Sequence, residues 1–216
     1  MTNQAPVELQ RDAVRTRSDI LAVATDEFAA NGYSGARVDE IAAKTRTTKR
    51  MIYYYFGGKE GLYTAVLEGV YAAIRSEEQN LRLGDLPPVE AMTKIVRFAF
   101  DYHGAHPELC RLVSIENIHQ AQYLRASERA TALNSPVITL IAEVLERGLA
   151  DGSFARRVSA MEVHLLIMAQ AMYSVNHRNS IQAVFGYDMA DPGNRARLRQ
   201  MAVDSVLSWL RSTDEA

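Results

Sequence analysis

Between Ala36 and Leu62 the chain reads Ala36-Arg37-Val38-Asp39-Glu40-Ile41-Ala42, then Thr47-Thr48-Lys49-Arg50-Met51-Ile52-Tyr53-Tyr54-Tyr55-Phe56, then Lys59-Glu60-Gly61-Leu62. Val38, Ile41 and Ala42 recur at i, i+3, i+4, the spacing of a short helix with one apolar face. Thr47 or Thr48 offers a hydroxyl to cap a second helix that opens with Lys49, Arg50 and Met51. Helix, short turn and helix make a helix-turn-helix. In that motif the start of the second helix meets base edges in the major groove, while flanking residues fix the register on phosphates. From Ile41 to Lys59 there are five Lys or Arg and no acid, although the formal net charge of the whole chain is −2. Such a local excess neutralises phosphates by releasing counterions.

Three consecutive tyrosines cannot share one helical face. Ile52 and Phe56, four apart, mark the buried stripe, so Tyr53, Tyr54 and Tyr55 fan out from it with hydroxyls free for phosphate oxygens and ring bodies for thymine methyls. Gly57-Gly58 ends that helix, and Lys59 stands where the next begins, beside N–H groups suited to an anion.

On these residues the stretch from Arg15 to Leu67 resembles the DNA-binding domain of the TetR family of one-component regulators, with a first helix over about Arg15 to Ala30. Phe28, the stop at Asn31-Gly32-Tyr33, Asp39-Glu40-Ile41-Ala42, Tyr53-Tyr54-Tyr55-Phe56 and Lys59-Glu60-Gly61-Leu62 carry the likeness. It implies DNA contacts at Lys49, Arg50, Met51, Tyr54, Tyr55 and Lys59 and phosphate contacts at Arg37 and Thr48. Tyr53 is expected either to support the core or to touch a phosphate. One departure concerns the turn, where Thr45-Arg46-Thr47 replaces the family's small residue, glycine and aliphatic. If Arg46 holds the positive-φ position, the missing glycine costs on the order of 1 kcal/mol.

Nearly half of the 216 residues are hydrophobic, enough for a small head and a larger body. An apolar run of eighteen residues and a charged-then-apolar leader are both lacking, so no membrane partner is expected. A single cysteine, Cys110, forms no disulfide framework and fits a reducing cytoplasm. Its neighbours Leu109, Leu112 and Val113 favour a buried structural thiol over a redox sensor.

Past residue 60 the chain reads helical almost throughout. Leu62, Ala65, Val66, Gly69, Val70 and Ala73 keep one stripe, which predicts a single long helix leading out of the head. Further helices are expected over about Val89 to Ala105, Leu109 to Ile118, and from Pro136, capped by Ser135, to near Ala150-Asp151-Gly152. No segment alternates with a strand period, so the fold class is all-α. The expected organisation is a disordered arm over 1–10, a three-helix helix-turn-helix domain over 11–60, and a helical ligand-binding and dimerisation domain over 61–216.

From Met161 to Val175 apolar residues surround the helix, so it needs burial on more than one side. The helix from about Asn194 to Arg211 carries Leu198, Met201, Ala202, Val206, Trp209 and Leu210 on one face. TetR-like chains pair two such helices with their copies, which implies a homodimer on a palindromic double-stranded operator.

No nucleotide fingerprint, P-loop or H-E-x-x-H occurs, and Glu116-Asn117-Ile118-His119 has no second Glu-x-x-His to complete a di-iron set. No cofactor or metal is therefore expected, and control passes to a small-molecule effector. Gln170 and Ser174, four apart on an apolar helix, present an amide and a hydroxyl on one face beside Tyr173 and His177. Arg75, Tyr102, Glu116, Asn117, His119 and Tyr123 are expected to converge on the same pocket; self-satisfied hydrogen bonds are the competing reading. The segments Glu116-Asn117-Ile118-His119, Tyr173-Ser174-Val175-Asn176-His177-Arg178 and Val184-Phe185-Gly186 resemble a branch that includes repressors of pyrimidine and nicotinate catabolism. This likeness implies a flat polar ring as effector, a heteroaromatic acid or a pyrimidine. Two other classes compete: a helical enzyme, for which no nucleophile with base and orienting group is spaced usefully, and an architectural DNA binder without an effector.

Overall fold

The structure is a computed structural model that describes residues 5–129 and 136–213, with side chains from Asp12 onward. Among the described residues all regular structure is α-helical: α1 Ala5–Gly35, α2 Val38–Lys44, α3 Lys49–Phe56, α4 Lys59–Gln79, α5 Pro88–Ala105, α6 Pro107–Ile118, α7 Gln122–Ala126, α8 Pro136–Asp151, α9 Ala160–Asn176, α10 Arg178–Phe185 and α11 Pro192–Arg211. Ser135, expected to cap α8, lies outside the described residues. Of the expected arm over 1–10, residues 1–4 lie outside the described residues, and α1 begins at Ala5. The helix α10 has no counterpart in the sequence reading.

By contact the chain divides into two compact units. The first runs to Ala72 and adds the segment from Arg111; the second holds Ala73–Cys110 and the chain from α8 on. A single break after residue 60 is thus not how the contacts fall, because α7 and the part of α6 from Arg111 on pack with the first unit.

The first unit is built on residues three and four apart. Ile20, Ala24 and Phe28 of α1 meet Ile41 of α2, Ile52 and Phe56 of α3, and Leu62, Tyr63 and Val66 of α4 in one core, which Leu112 of α6 joins. Gly32, at φ 69 and ψ 175, breaks the regular winding of α1 where Asn31-Gly32-Tyr33 predicts a stop. In the turn after α2, Arg46 does take a positive φ of 53. Hydrogen bonds offset part of that cost: Thr45 Oγ1 donates to the Ile41 carbonyl at 2.8 Å and Thr47 N to that of Ala42 at 3.0 Å. Gly57, left-handed at φ 75, closes α3. Gly61 lets α4 start against it, since a Cβ there would run into the Phe56 carbonyl oxygen.

Glu27 of α1 is buried. Its carboxylate accepts from Lys44 Nζ at 2.7 Å and Asn31 Nδ2 at 2.8 Å, and the bond from Lys44, ahead of the opposing effect of burial, holds its pKa below the usual carboxylate range. A carboxyl depressed in the folded state stabilises above its unfolded pKa and loses that contribution as pH falls through the folded value. In urea unfolding, wild type and Lys44→Met should therefore differ most near neutral pH, and the gap should close as pH drops below the carboxylate range. A gap that stays constant in acid would remove Glu27 from the account.

The second unit has its own core, in which Met92, Ile95 and Val96 of α5, Ile141 and Val144 of α8, Val163 and Ile167 of α9, and Val206 and Leu210 of α11 interlock. Two starts are fixed by side chains. Ser159 and Glu162 form a reciprocal capping box on α9, and Asp191 accepts from the Gly193 and Asn194 amides at 2.9 and 3.0 Å ahead of α11.

Candidate nucleic-acid interface and effector site

The α3 helix begins with a cap: Met51 N donates to Thr48 Oγ1 at 3.3 Å. Ile52 and Phe56 are buried, and this places Lys49, Arg50, Tyr53 and Tyr54 on the exposed side. Tyr54 is 78% exposed, unusual for a ring with nothing to cover it, and Tyr53 is 48% exposed. Met51 and Tyr55 are half-buried, and Tyr55 packs against the first unit's core while its ring meets that of Tyr54 edge-on at 5.3 Å.

Two cations of this surface already have acidic neighbours on α2. Lys49 Nζ lies 3.2 Å from Asp39, and Arg37 Nε 3.9 Å from Glu40. Exposed pairs of this kind contribute about 0–1 kcal/mol, so they hold the cations in place yet release them readily to phosphates. Lys59 is more constrained: its ammonium donates to the Ser34 carbonyl at 3.2 Å and sits 5.0 Å from the Tyr33 ring centroid, and burial lowers its pKa. The nine residues expected at DNA thus share the first unit, with Thr48, Lys49, Arg50, Tyr53 and Tyr54 projecting from one short helix.

The ten residues expected at an effector are divided between the two units. Glu116 is buried, and its Oε1 accepts from the amides of Tyr123 and Leu124 at 2.9 and 3.0 Å, capping the start of α7. The buried hydroxyl of Tyr63 faces the same carboxylate; burial first, and then that charge, push its pKa well above the usual phenol range. Tyr123 joins an aromatic cluster, its ring 4.7 Å from that of Tyr33 and 5.1 Å from that of Tyr63, with His119 at the edge. Asn117 is exposed and donates to the Val113 carbonyl at 2.8 Å. These four belong to the first unit.

The other six lie in the second unit, in two places. Gln170, Tyr173 and Ser174 line a cavity of about 270 Å³ with Phe100, Leu198 and Met201. Gln170 Nε2 is 3.5 Å from the Leu166 carbonyl, and Ser174 Oγ donates to that of Ala171 at 2.7 Å. His177 is exposed and stacks on Tyr173, ring centroids 4.2 Å apart. Arg75 and Tyr102 lie elsewhere, by a polar cluster that the sequence reading overlooked. Arg75 Nη1 donates to both oxygens of the buried Glu78 at 2.6 Å, and the buried His103 stands on α5 next to Tyr102. His164 of α9 has its pKa lowered, chiefly by burial and then by the charges of Arg75 and His103. Legible signals exist: Arg75 and Glu78 are three apart, and His164 interrupts an apolar run. Cys110 is buried and its thiol is pushed up to about 12, chiefly by burial, which leaves little thiolate for redox chemistry.

A capped helix-turn-helix with exposed cations and tyrosines, in a chain with a second helical unit, defines a regulator that reads DNA. Residues 20–66 match the family model described as bacterial regulatory proteins, tetR family, and residues 88–206 match the one described as tetracyclin repressor-like, C-terminal domain. The chain belongs to the TetR family of bacterial regulators. It is 32% identical to the HTH-type transcriptional repressor NicS of Pseudomonas putida over 97% of this chain and 99% of that one. Against the HTH-type transcriptional repressor SCO4008 of Streptomyces coelicolor the identity is 32% over 76% and 81%. Among solved structures, the putative transcriptional regulator SCO4942 of S. coelicolor superimposes with a TM-score of 0.67 at 27% identity, over 91% of this chain and 99% of that one. The chain is thus a DNA-binding transcriptional regulator and not an enzyme. No described helix is long and apolar enough to cross a membrane.

Proposed function

We propose that this chain is a cytoplasmic, homodimeric repressor that binds a palindromic operator through α3 and leaves it when a small, flat, polar ring compound binds the second unit. The observation that carries the reading is the exposed face of α3. Lys49, Arg50, Met51 and Tyr54 are assigned to base edges and nearby phosphates, with Arg37, Thr48, Tyr53, Tyr55 and Lys59 setting the register.

The homodimer is supported by apolar side chains that the chain does not cover itself. Met161 and Leu165 of α9, Val184 and Phe185 of α10, and Met201 of α11 are each at least half exposed. A second copy would bury them and supply the second half-site reader. The effector reading keeps the second-unit residues of the expected set: Arg75 and Tyr102 at the polar cluster, Gln170, Tyr173 and Ser174 at the cavity, and His177 stacked on Tyr173. An effector shifts DNA affinity only if it favours one of two arrangements. The helices α4 and α6 each have one end in the first unit and the other in the second, so both are covalent routes for that preference.

The test is an electrophoretic shift on DNA flanking the chain's own gene, with pyrimidines, nicotinate-like acids and benzoates added in turn. A discrete complex carrying two chains, released by one compound class, is the expected result. A complex of one chain, or a shift insensitive to every compound, would favour the effector-independent architectural binder. Gln170→Ala should keep operator affinity and blunt release.

A further inference from the structure

Acidic side chains are costly on a surface that meets phosphates, yet one stands against a residue assigned to DNA. Asp39, in the first turn of α2, lies beside the first residue of α3: Lys49 Nζ is 3.2 Å from each of its two carboxylate oxygens. Both side chains remain open to solvent, Lys49 over 52% and Asp39 over 59% of their surface. Stability does not explain the pair, since an exposed ion pair adds little to folding. The positive end of α2 accounts for an acid in its first turn, but not for the contact of that acid with the reading helix. An ammonium touching a carboxylate offers a donor and an acceptor side by side. The major-groove edge of a G·C pair offers the reverse. Guanine N7 and O6 accept, and cytosine N4, about 3 Å from O6 across the hydrogen bond of the base pair, donates. The 3.2 Å between Lys49 Nζ and the Asp39 carboxylate matches that step.

We propose, resting on the assignment of α3 to the operator above, that Lys49 and Asp39 act as a unit that reads one G·C pair in each half-site. On binding, Lys49 leaves Asp39 for guanine O6 and N7, and the released carboxylate accepts from cytosine N4. An A·T pair fits worse. Its one donor, adenine N6, stands between the acceptors N7 and O4, so a carboxylate that reaches it is repelled from both sides. An ammonium at O4 finds a single acceptor beside a methyl group. On any other sequence Asp39 faces phosphates with nothing gained, so it is also a repulsive element that lowers affinity for wrong DNA. Asp39 is thus a specificity-determining residue outside the reading helix, and the operator carries a G·C pair where the starts of α2 and α3 meet the groove.

The experiment selects binding sites from a random-sequence duplex pool with the full chain, for wild type, Lys49→Ala, Asp39→Ala and Asp39→Asn. Affinities are then measured on the wild-type selected duplex and its single-pair variants. Wild type should select a motif in which changing one G·C pair of each half-site to A·T costs about tenfold or more. That cost should fall to about threefold or less in both Asp39→Ala and Lys49→Ala, at the same pair and at no other. Asp39→Ala should also bind unselected DNA several-fold more tightly, which loss of a residue that merely supports α2 would not produce. An asparagine both donates and accepts, as adenine requires, so Asp39→Asn should move the preference at that pair toward A·T; nearly isosteric, it decides the matter if Asp39→Ala does not fold. Unchanged discrimination in the Asp39 variants overturns the proposal. So does a loss that falls at different base pairs in the Lys49 and Asp39 variants, or at an A·T pair. A wild-type chain that selects a clear motif in those cases loses only this proposal, whereas one that selects none loses the repressor reading as well.

Discussion

Operator affinity should fall by about five- to a hundredfold in Tyr54→Ala and again in Lys49→Ala, the scale of losing one good base contact of about 1–3 kcal/mol. Both side chains are exposed on α3, away from Ile52 and Phe56, so neither change should alter helix content or the unfolding midpoint. Their salt dependence should differ. In the proposed complex Lys49 trades Asp39 for a phosphate or base edge, so its removal should lower the slope of log affinity against log salt by about one. Tyr54 carries no charge, so Tyr54→Ala should leave that slope unchanged while relaxing preference at the base pair it faces. Fluorescence anisotropy on a labelled operator across a salt series reads both. Wild-type affinity in either variant would move the reading surface off the start of α3.

That surface is legible in the sequence because everything that builds it is local. The spacing of Val38, Ile41 and Ala42, the hydroxyl at Thr48, and the pair Gly57-Gly58 all act within a few residues, and the structure uses each as the spacing predicts. Even the awkward turn is readable, since a positive φ at Arg46 follows from replacing the expected glycine. The surroundings of the expected effector residues are less legible because their partners are remote or depend on unmarked backbone. Glu116 looks like a free polar group until Gln120 and Ala121 both take positive φ, 56 and 57, and fold α7 back onto it. Neither is a glycine, so no residue type announces that reversal. Gln170 and Ser174 do sit together on a cavity, as their four-residue spacing implies, but both lean on carbonyls of their own helix. The influence of His103 on His164 needs α5 and α9 packed together, which periodicity alone does not supply.

Glu116→Ala should be the most damaging change in the first unit outside its apolar core. The carboxylate satisfies the amides of Tyr123 and Leu124, and each amide left buried without a partner costs about 1–3 kcal/mol. The loss also removes the group that faces the buried Tyr63 hydroxyl, which belongs to the same aromatic packing as Phe28, Tyr33 and Tyr123. A fall of about 2–4 kcal/mol in urea unfolding is expected after solvent reaches part of the exposed α7 start. Glu116→Gln separates this role from ligand binding. Its amide oxygen can still accept from the α7 start, and its NH2 can donate to the Tyr63 hydroxyl, so most of the stability should return. Operator binding and release by effector should then match wild type. If Glu116 instead touched the effector, Glu116→Ala would unfold normally and respond poorly, and Glu116→Gln would share that defect. Unfolding curves and operator release on the two variants choose between a helix cap buried in the first unit and the ligand contact that the bare sequence suggests.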